Sequence, residues 1–97
     1  MAYYAVNYHY DPSTVDAQNA LRPEHRAYLG TLVEQGLLVA SGPLVGAASP
    51  SALLIFRTGS EQQVRDLLAE DPFQKQNHVA DWSVTEWNPV LGVFAGA

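Results

Sequence analysis

The order of segments in this 97-residue chain, β-α-β-β-α-β, predicts an α+β domain of the ferredoxin-like kind: an antiparallel four-stranded sheet with two helices on one face. Three observations carry the expectation. Four short runs rich in Tyr, Val, Ile, Leu or Trp are bounded by turn residues and have strand length. Two stretches repeat apolar residues at helical spacing. The order itself allows each helix to make a right-handed crossover, with the intervening strand antiparallel to both of its neighbours. The length suits a single domain, residues 1-97, with one core and room for one site.

Taken in order, Ala2 to Tyr10 is a Tyr- and Val-rich run that stops at Asp11-Pro12-Ser13, which makes it the first strand. The first helix is expected from Pro23 to Gln35. Proline suits a first helical position because its missing N–H costs nothing there, and Gly36 can take the left-handed conformation of a C-terminal cap. Leu37 to Ala40 forms a short second strand that breaks at Ser41-Gly42-Pro43, and Leu44 to Pro50 is a loop of small residues. Ser51 to Thr58 is the third strand, so continuously apolar that it reads as buried on both faces. Ser60 with Gln63 matches a capping box, and Val64, Leu67 and Leu68 supply the stripe of the second helix. Asp71-Pro72 ends that helix and caps a further short turn through Gln76. Val79 to Trp87 is the fourth strand, closed by Asn88-Pro89 and followed by an apolar tail, Val90 to Phe94.

Composition excludes several function classes. Five Lys and Arg against ten Asp and Glu give a net charge of -5, too few cations for a stripe that neutralises phosphates, so no nucleic acid partner is expected. The absence of cysteine removes disulfides, thiol nucleophiles and thiolate zinc sites. Met1 to Tyr10 lacks a basic start and an apolar leader, and no run approaches membrane-spanning length; no membrane association and a cytoplasmic location are the expectations. Charged residues make up 15%, below the roughly 25% usual for soluble domains, which suggests that part of the surface is covered. Both the first and the third strand are apolar on both faces while the helices cover only one. A homodimer whose sheets meet face to face, with the tail 90-97 at the interface, is therefore expected.

The topology brings four segments to one end of the sheet. His9 and Asp11 close the first strand, Arg22 and His25 lie early in the first helix, Ser41-Gly42-Pro43 closes the second strand, and Asp71 closes the second helix. His25 shares a helix face with Leu21, Tyr28, Leu29 and Leu32, so its imidazole points at the core. A carboxylate beside an imidazole fixes the tautomer and stabilises the imidazolium that forms when the ring takes a proton, and Asp71 is the best placed partner. Arg22, on the same face, can hold a substrate carboxylate with both guanidinium nitrogens. Ser41, Gly42 and Pro43 could contact a carbonyl or enolate oxygen, with His9 as a further substrate contact. Each residue also has a plain structural reading. His25 could be a core histidine bonded to the backbone, Asp71 an N-cap before proline, Arg22 a solvated side chain and Ser41-Gly42-Pro43 a strand-ending turn. His9 and His78 could be ordinary strand-end and loop residues, and the tyrosines and tryptophans core and interface aromatics. Metal-ligand spacing is missing, and the chemistry calls for no cofactor.

Arg22, His25 and Tyr28-Leu29, then Gly36-Leu37-Leu38, Ser41-Gly42-Pro43, Asp71-Pro72-Phe73 and Val84 to Trp87, together resemble the YciI-like (YCII-related) family over nearly the whole chain. The resemblance implies a dimeric α+β barrel and an active site built on a His-Asp pair. It also implies distant kinship with muconolactone isomerases and with a dehydrochlorinase of chloroaromatic degradation. Carried over by position, the pair is His25 and Asp71. The loop Leu44 to Ser49 lacks the acidic residue that many relatives place there. The expected function is proton transfer on an anionic small molecule, ring-derived compounds among the candidates, by isomerisation or elimination. A non-catalytic ligand-binding or accessory dimer is the alternative, and a structural interaction module a third.

Overall fold

The computed structural model describes residues 1–95. Its elements are β1 (Ala2–Tyr10), a single 3-10 turn (Pro12–Thr14), α1 (Val15–Glu34), β2 (Leu38–Pro43), β3 (Ser51–Thr58), α2 (Glu61–Ala69), α3 (Pro72–Lys75) and β4 (Val79–Trp87). The strands lie in the order β2-β3-β1-β4. β1 is antiparallel to both β3 and β4, and β2 is antiparallel to β3, so β1 and β2 run parallel with β3 between them. This is the ferredoxin-like arrangement the segment order predicts.

Alternation along the strands decides what faces the helices. Tyr4, Val6 and Tyr8 of β1 and Ala52, Leu54 and Phe56 of β3 all turn one way and meet Leu29 and Leu32 of α1 and Val64 and Leu68 of α2 in one core. Burial of each large side chain contributes roughly 1.5–3 kcal/mol. On the other face stand Ala5, Asn7, His9, Leu53 and Arg57, with Tyr3 next to Trp87.

Two boundaries differ from those expected. Helix α1 begins at Val15, about two turns before Pro23, which sits inside it. The apolar stripe explains the extension: Gln18 continues the row of His25, Leu29 and Leu32 and is itself buried. Its amide donates to the Asp11 carbonyl (2.7 Å) and to Thr14 Oγ1 (3.0 Å), which anchors the first turn. Asp11 caps the preceding 3-10 turn by accepting from the Ser13 N–H, so the chain enters the helix already turned. Pro23 removes one intrahelical hydrogen bond, and tertiary anchoring on both sides of it outweighs that loss.

Strand β2 runs on to Pro43 rather than ending at Ala40. Leu38 pairs with Phe56 and Ala40 with Ile55, leaving Val39 as an extra residue in a bulge. Leu38 and Ser41 are three apart, which strict alternation would place on opposite faces. The bulge turns both toward the helices, because Ser41 then pairs with the core residue Leu54.

The remaining elements match expectation. Gly36 has φ +76 and closes α1, while Ser60 accepts from the Gln63 N–H (3.1 Å) and opens α2. In the tail, Phe94 packs its ring 5.6 Å from Tyr3 and 6.0 Å from Trp87 on the chain's own sheet, while Val90, Leu91 and Val93 remain exposed. The last part of the expected 90-97 interface segment, 96–97, lies outside the described residues. Among the described residues no helix is long and apolar enough to cross a membrane.

Candidate active site

His25 and Asp71 meet. Nδ1 of the imidazole lies 2.7 Å from Asp71 Oδ1 across 46 residues of chain, and Asp71 is wholly buried. An ionised carboxylate only accepts, so the ring nitrogen facing it carries a proton, and in the neutral imidazole Nε2 is then the nitrogen with the lone pair. The same carboxylate takes two more donors: the Tyr8 hydroxyl into Oδ2 (2.9 Å) and the Phe73 N–H into Oδ1 (3.0 Å). The last of these is the N-cap bond of α3. The capping bond and the contact with the imidazole are therefore both made by one side chain.

Phe73 is the floor of the site. The His25 ring stacks on it with centroids 3.9 Å apart and planes 3° from parallel, while Tyr10 and His78 meet it edge-on at 5.7 and 5.9 Å. The Arg22 guanidinium lies 5.6 Å from the same ring and donates to Asn19 Oδ1 (3.1 Å). With its ring clamped by the stack and by Asp71, His25 has little rotational freedom and is only 7% exposed.

That residual exposure opens into a cavity of about 360 Å³ whose lining includes Tyr10, Arg22, His25, Arg26 and Ser41-Gly42-Pro43. Arg22, Ser41, Gly42 and Pro43 are thus brought to His25, while Asp71 stands behind the ring. His9 is not brought there. It precedes Tyr10 on β1 and so projects from the opposite face of the sheet, where its Nδ1 lies 3.2 Å from Ser51 Oγ. Ser51 Oγ donates to the Ser49 carbonyl (3.0 Å) and so accepts from the ring. The alternation of β1 already held this answer, since Tyr8 and His9 cannot face the same way.

Asp11, also expected at this end, is taken up in capping, and hydrogen bonds from Ser13 hold its carboxyl below the usual range. His78 bonds Thr14 Oγ1 (3.0 Å) and belongs with Gln18 to the cluster that anchors the start of α1. Among the described residues no group of three or more metal-ligating side chains is gathered.

Sequence reasoning treated the tyrosines as packing residues and so passed over Tyr8 and Tyr10. Burial pushes the Tyr8 phenol far above its ordinary value, with the charge of Asp71 and the hydrogen bond to it acting the same way. Tyr10 is pushed up to about 12 by burial and then by Asp71, with Arg22 opposing. Both remain hydrogen-bond donors at neutral pH. The available signal was their even spacing along β1, on the face that the helices cover.

Three similarities to known proteins bear on this arrangement. A model of the YCII-related domain matches residues 1–88. The protein of Emericella nidulans named derivative of benzaldehyde biosynthesis cluster protein C is 32% identical over 68 residues, covering 61% of this chain and 69% of that protein. Among solved structures, the 5-chloro-2-hydroxyhydroquinone dehydrochlorinase of Burkholderia phenoliruptrix AC1100, in complex with 2,5-dihydroxybenzoquinone, superposes with a TM-score of 0.77. It is 22% identical, and the match covers 89% of this chain and 93% of that one. At that identity the likeness is one of fold.

Proposed function

Because this chain belongs to the YCII-related domain family, we propose that it is a small-molecule enzyme in which His25 and Asp71 transfer a proton on an anionic, ring-derived substrate, by isomerisation or elimination. The observation that carries the reading is the 2.7 Å contact between His25 and a fully buried carboxylate, at a ring that opens into a cavity holding two arginines. The quinone bound by the dehydrochlorinase of the same fold supports the substrate class.

In this scheme Nε2 of His25 removes a proton from a carbon next to a carbonyl, and Asp71 stabilises the imidazolium. Arg22 holds an anionic group, while the Ser41 hydroxyl, on the cavity wall, is placed for a substrate oxygen. In an isomerisation the ring returns its proton to a neighbouring carbon. In an elimination the C–H electron pair becomes the new π bond, chloride leaves with the C–Cl pair, and the proton stays on Nε2. These steps use side chains alone.

The test is chloride release from 5-chloro-2-hydroxyhydroquinone, or isomerisation of unsaturated lactone acids. His25→Gln should lower turnover by at least about 10²-fold while leaving the melting temperature close to that of the wild type. Equal turnover by the two proteins removes the proposal. One observation favours a second reading, a pocket that binds without reacting: the ring stacked on Phe73 and the N-capping carboxylate also serve to tie α1 to α3. On that reading a bound ligand raises the melting temperature and is recovered unchanged.

We also read the uncovered sheet face as the contact between two copies of the chain, since Leu53, Ile55 and Ala5 form an apolar strip there that no helix covers. Light scattering should give twice the chain mass, and a constant single-chain mass overturns this.

A further inference from the structure

Three tyrosines stand at the His25 end of the helix-covered face, and two of their hydroxyls are spent. Tyr8 donates to Asp71 Oδ2 (2.9 Å) and Tyr28 to the Leu67 carbonyl (2.7 Å). The Tyr10 hydroxyl has no hydrogen-bond partner among the described residues, yet its ring is held firmly. It packs edge-on against Phe73 (5.7 Å, 87°) and Tyr8 (6.0 Å, 78°), and its backbone N–H donates to the Pro50 carbonyl (3.0 Å). A phenol fixed in place and lining a cavity, with its polar end unused, is poised for a ligand.

Arg22 is the natural second member. Its guanidinium lies over the Phe73 ring on which His25 stacks and against which Tyr10 stands, so one aromatic side chain locates all three groups. Arg22 lines the same cavity and carries no carboxylate partner among the described residues; its one polar contact there is Asn19 Oδ1. Burial first and the Asp71 charge second, with Arg22 opposing, push the Tyr10 phenol up to about 12, so it is a donor at neutral pH. A phenol without a partner and a guanidinium with donors to spare, lining one cavity with His25, call for a ligand that presents an acceptor to the first two and a proton to the third.

We infer that the Tyr10 hydroxyl and the Arg22 guanidinium form one receptor for a substrate oxygen of enolic or hydroxyquinoid kind, conjugated to the carbon whose proton His25 takes and therefore the seat of the charge released in that step. The inference deepens the proposed function and rests on it. Donors placed this way meet charge where it develops, because removing a proton next to a carbonyl moves the C–H electron pair onto that oxygen. A carboxylate remote from the reacting carbon gains no charge during the step, so donors bound to it would hold substrate and transition state equally well.

The experiment is a titration of the purified protein with 2,5-dihydroxybenzoquinone at neutral pH, followed by the absorbance of the quinone, in parallel with benzoate. Saturable quinone binding that weakens about ten-fold or more in Tyr10→Phe and again in Arg22→Gln supports the receptor, provided Tyr28→Phe binds like the wild type. The two substitutions should also couple, the double variant losing less than the product of the single losses, which a merely structural role of Tyr10 would not produce. Arg22→Gln, on a partly exposed helix position, keeps the test open should Tyr10→Phe fold poorly. Quinone binding within two-fold of the wild type in both variants overturns the receptor while leaving His25 and Asp71 their role. Benzoate binding as tight and as dependent on Tyr10 overturns the enolic assignment. No saturable quinone binding by the wild type overturns the receptor and the proposed substrate class together.

Discussion

Replacing Asp71 separates what the carboxylate does for the fold from what it does for the imidazole. In Asp71→Ala the Phe73 N–H loses its cap acceptor, worth about 1–2 kcal/mol, and the Tyr8 hydroxyl is left unpaired in the core, costing about 1–3 kcal/mol more. His25 can shift its proton to Nε2 and avoid a third orphan. The sum, about 2–5 kcal/mol, is a large part of the stability of a domain this size and corresponds to a fall of about 8–40 °C in melting temperature. Asp71→Asn is much milder. Its oxygen can still accept from Phe73 and His25, and its amide faces Tyr8, whose hydroxyl turns to accept at a cost of about 1–2 kcal/mol. What the amide lacks is the charge that stabilises an imidazolium, so turnover should fall by about 10²-fold or more in a protein that remains folded. Urea unfolding followed by circular dichroism, run beside the turnover assay, measures both terms. If Asp71→Ala unfolds within about 1 kcal/mol of the wild type, the Phe73 and Tyr8 hydrogen bonds do not carry the weight assigned to them. If Asp71→Asn turns over at the wild-type rate, the role of its charge in stabilising the imidazolium is lost.

Two further outcomes test the fold and its titration. Pro23→Ala restores the N–H that α1 lacks in mid-helix and should stabilise by about 1 kcal/mol or more in urea unfolding, a gain reduced by the freer unfolded chain; destabilisation would mean that the helix is built around the proline. Tyr8 and Tyr10 have folded-state pKa values above the ordinary 10.0, so the folded state favours the neutral phenol. The sign follows: this stability is complete below about pH 10 and declines above it at up to about 1.4 kcal/mol per pH unit for each tyrosine, the Tyr10 part being gone once pH has risen through about 12 and the Tyr8 part still declining there. Unfolding free energies between about pH 8 and 11.5 should show the decline, with Tyr10→Phe flattening it, and a flat wild-type profile would contradict the burial of these phenols.

Where local chemistry and tertiary packing agreed, the sequence was readable. Three of the four strands have the expected ends because each is bounded by residues that cannot continue a ladder, such as Asp11-Pro12 and Asn88-Pro89. The start of α1 was not readable, since proline is the strongest local stop and only the buried Gln18, tied to Asp11 and Thr14, explains why the helix runs through it. The end of β2 was hidden by a bulge at Val39, which depends on the partner strand and leaves no mark in composition. In the site, the meeting of His25 with Asp71 followed from topology. The misplacing of His9 came from grouping residues by the end of the strand while ignoring its two faces. Tyr10 went unseen because a packing tyrosine and one with an unspent hydroxyl look alike until the partners of that hydroxyl can be counted.

The charge distribution sets how such a cavity selects an anion. The chain carries a net charge of -5, so an acidic ligand is repelled at long range, though beyond about 8 Å this is largely screened at physiological ionic strength. Of the five basic side chains, Arg65 pairs with Glu61 and Lys75 with Glu70, and Arg57 is on the far face of the sheet. Arg22 and Arg26 are the two that line the cavity. Attraction therefore begins only at contact distance, inside a field that is otherwise unfavourable. Steering contributes little under such conditions, and affinity has to come from hydrogen bonds made in place. On the proposed reading, acidity alone does not admit a ligand: a molecule must also put its enolic or hydroxyquinoid oxygen between donors fixed by Phe73 while presenting a proton to His25. This requirement ties binding to the same geometry that performs the proton transfer.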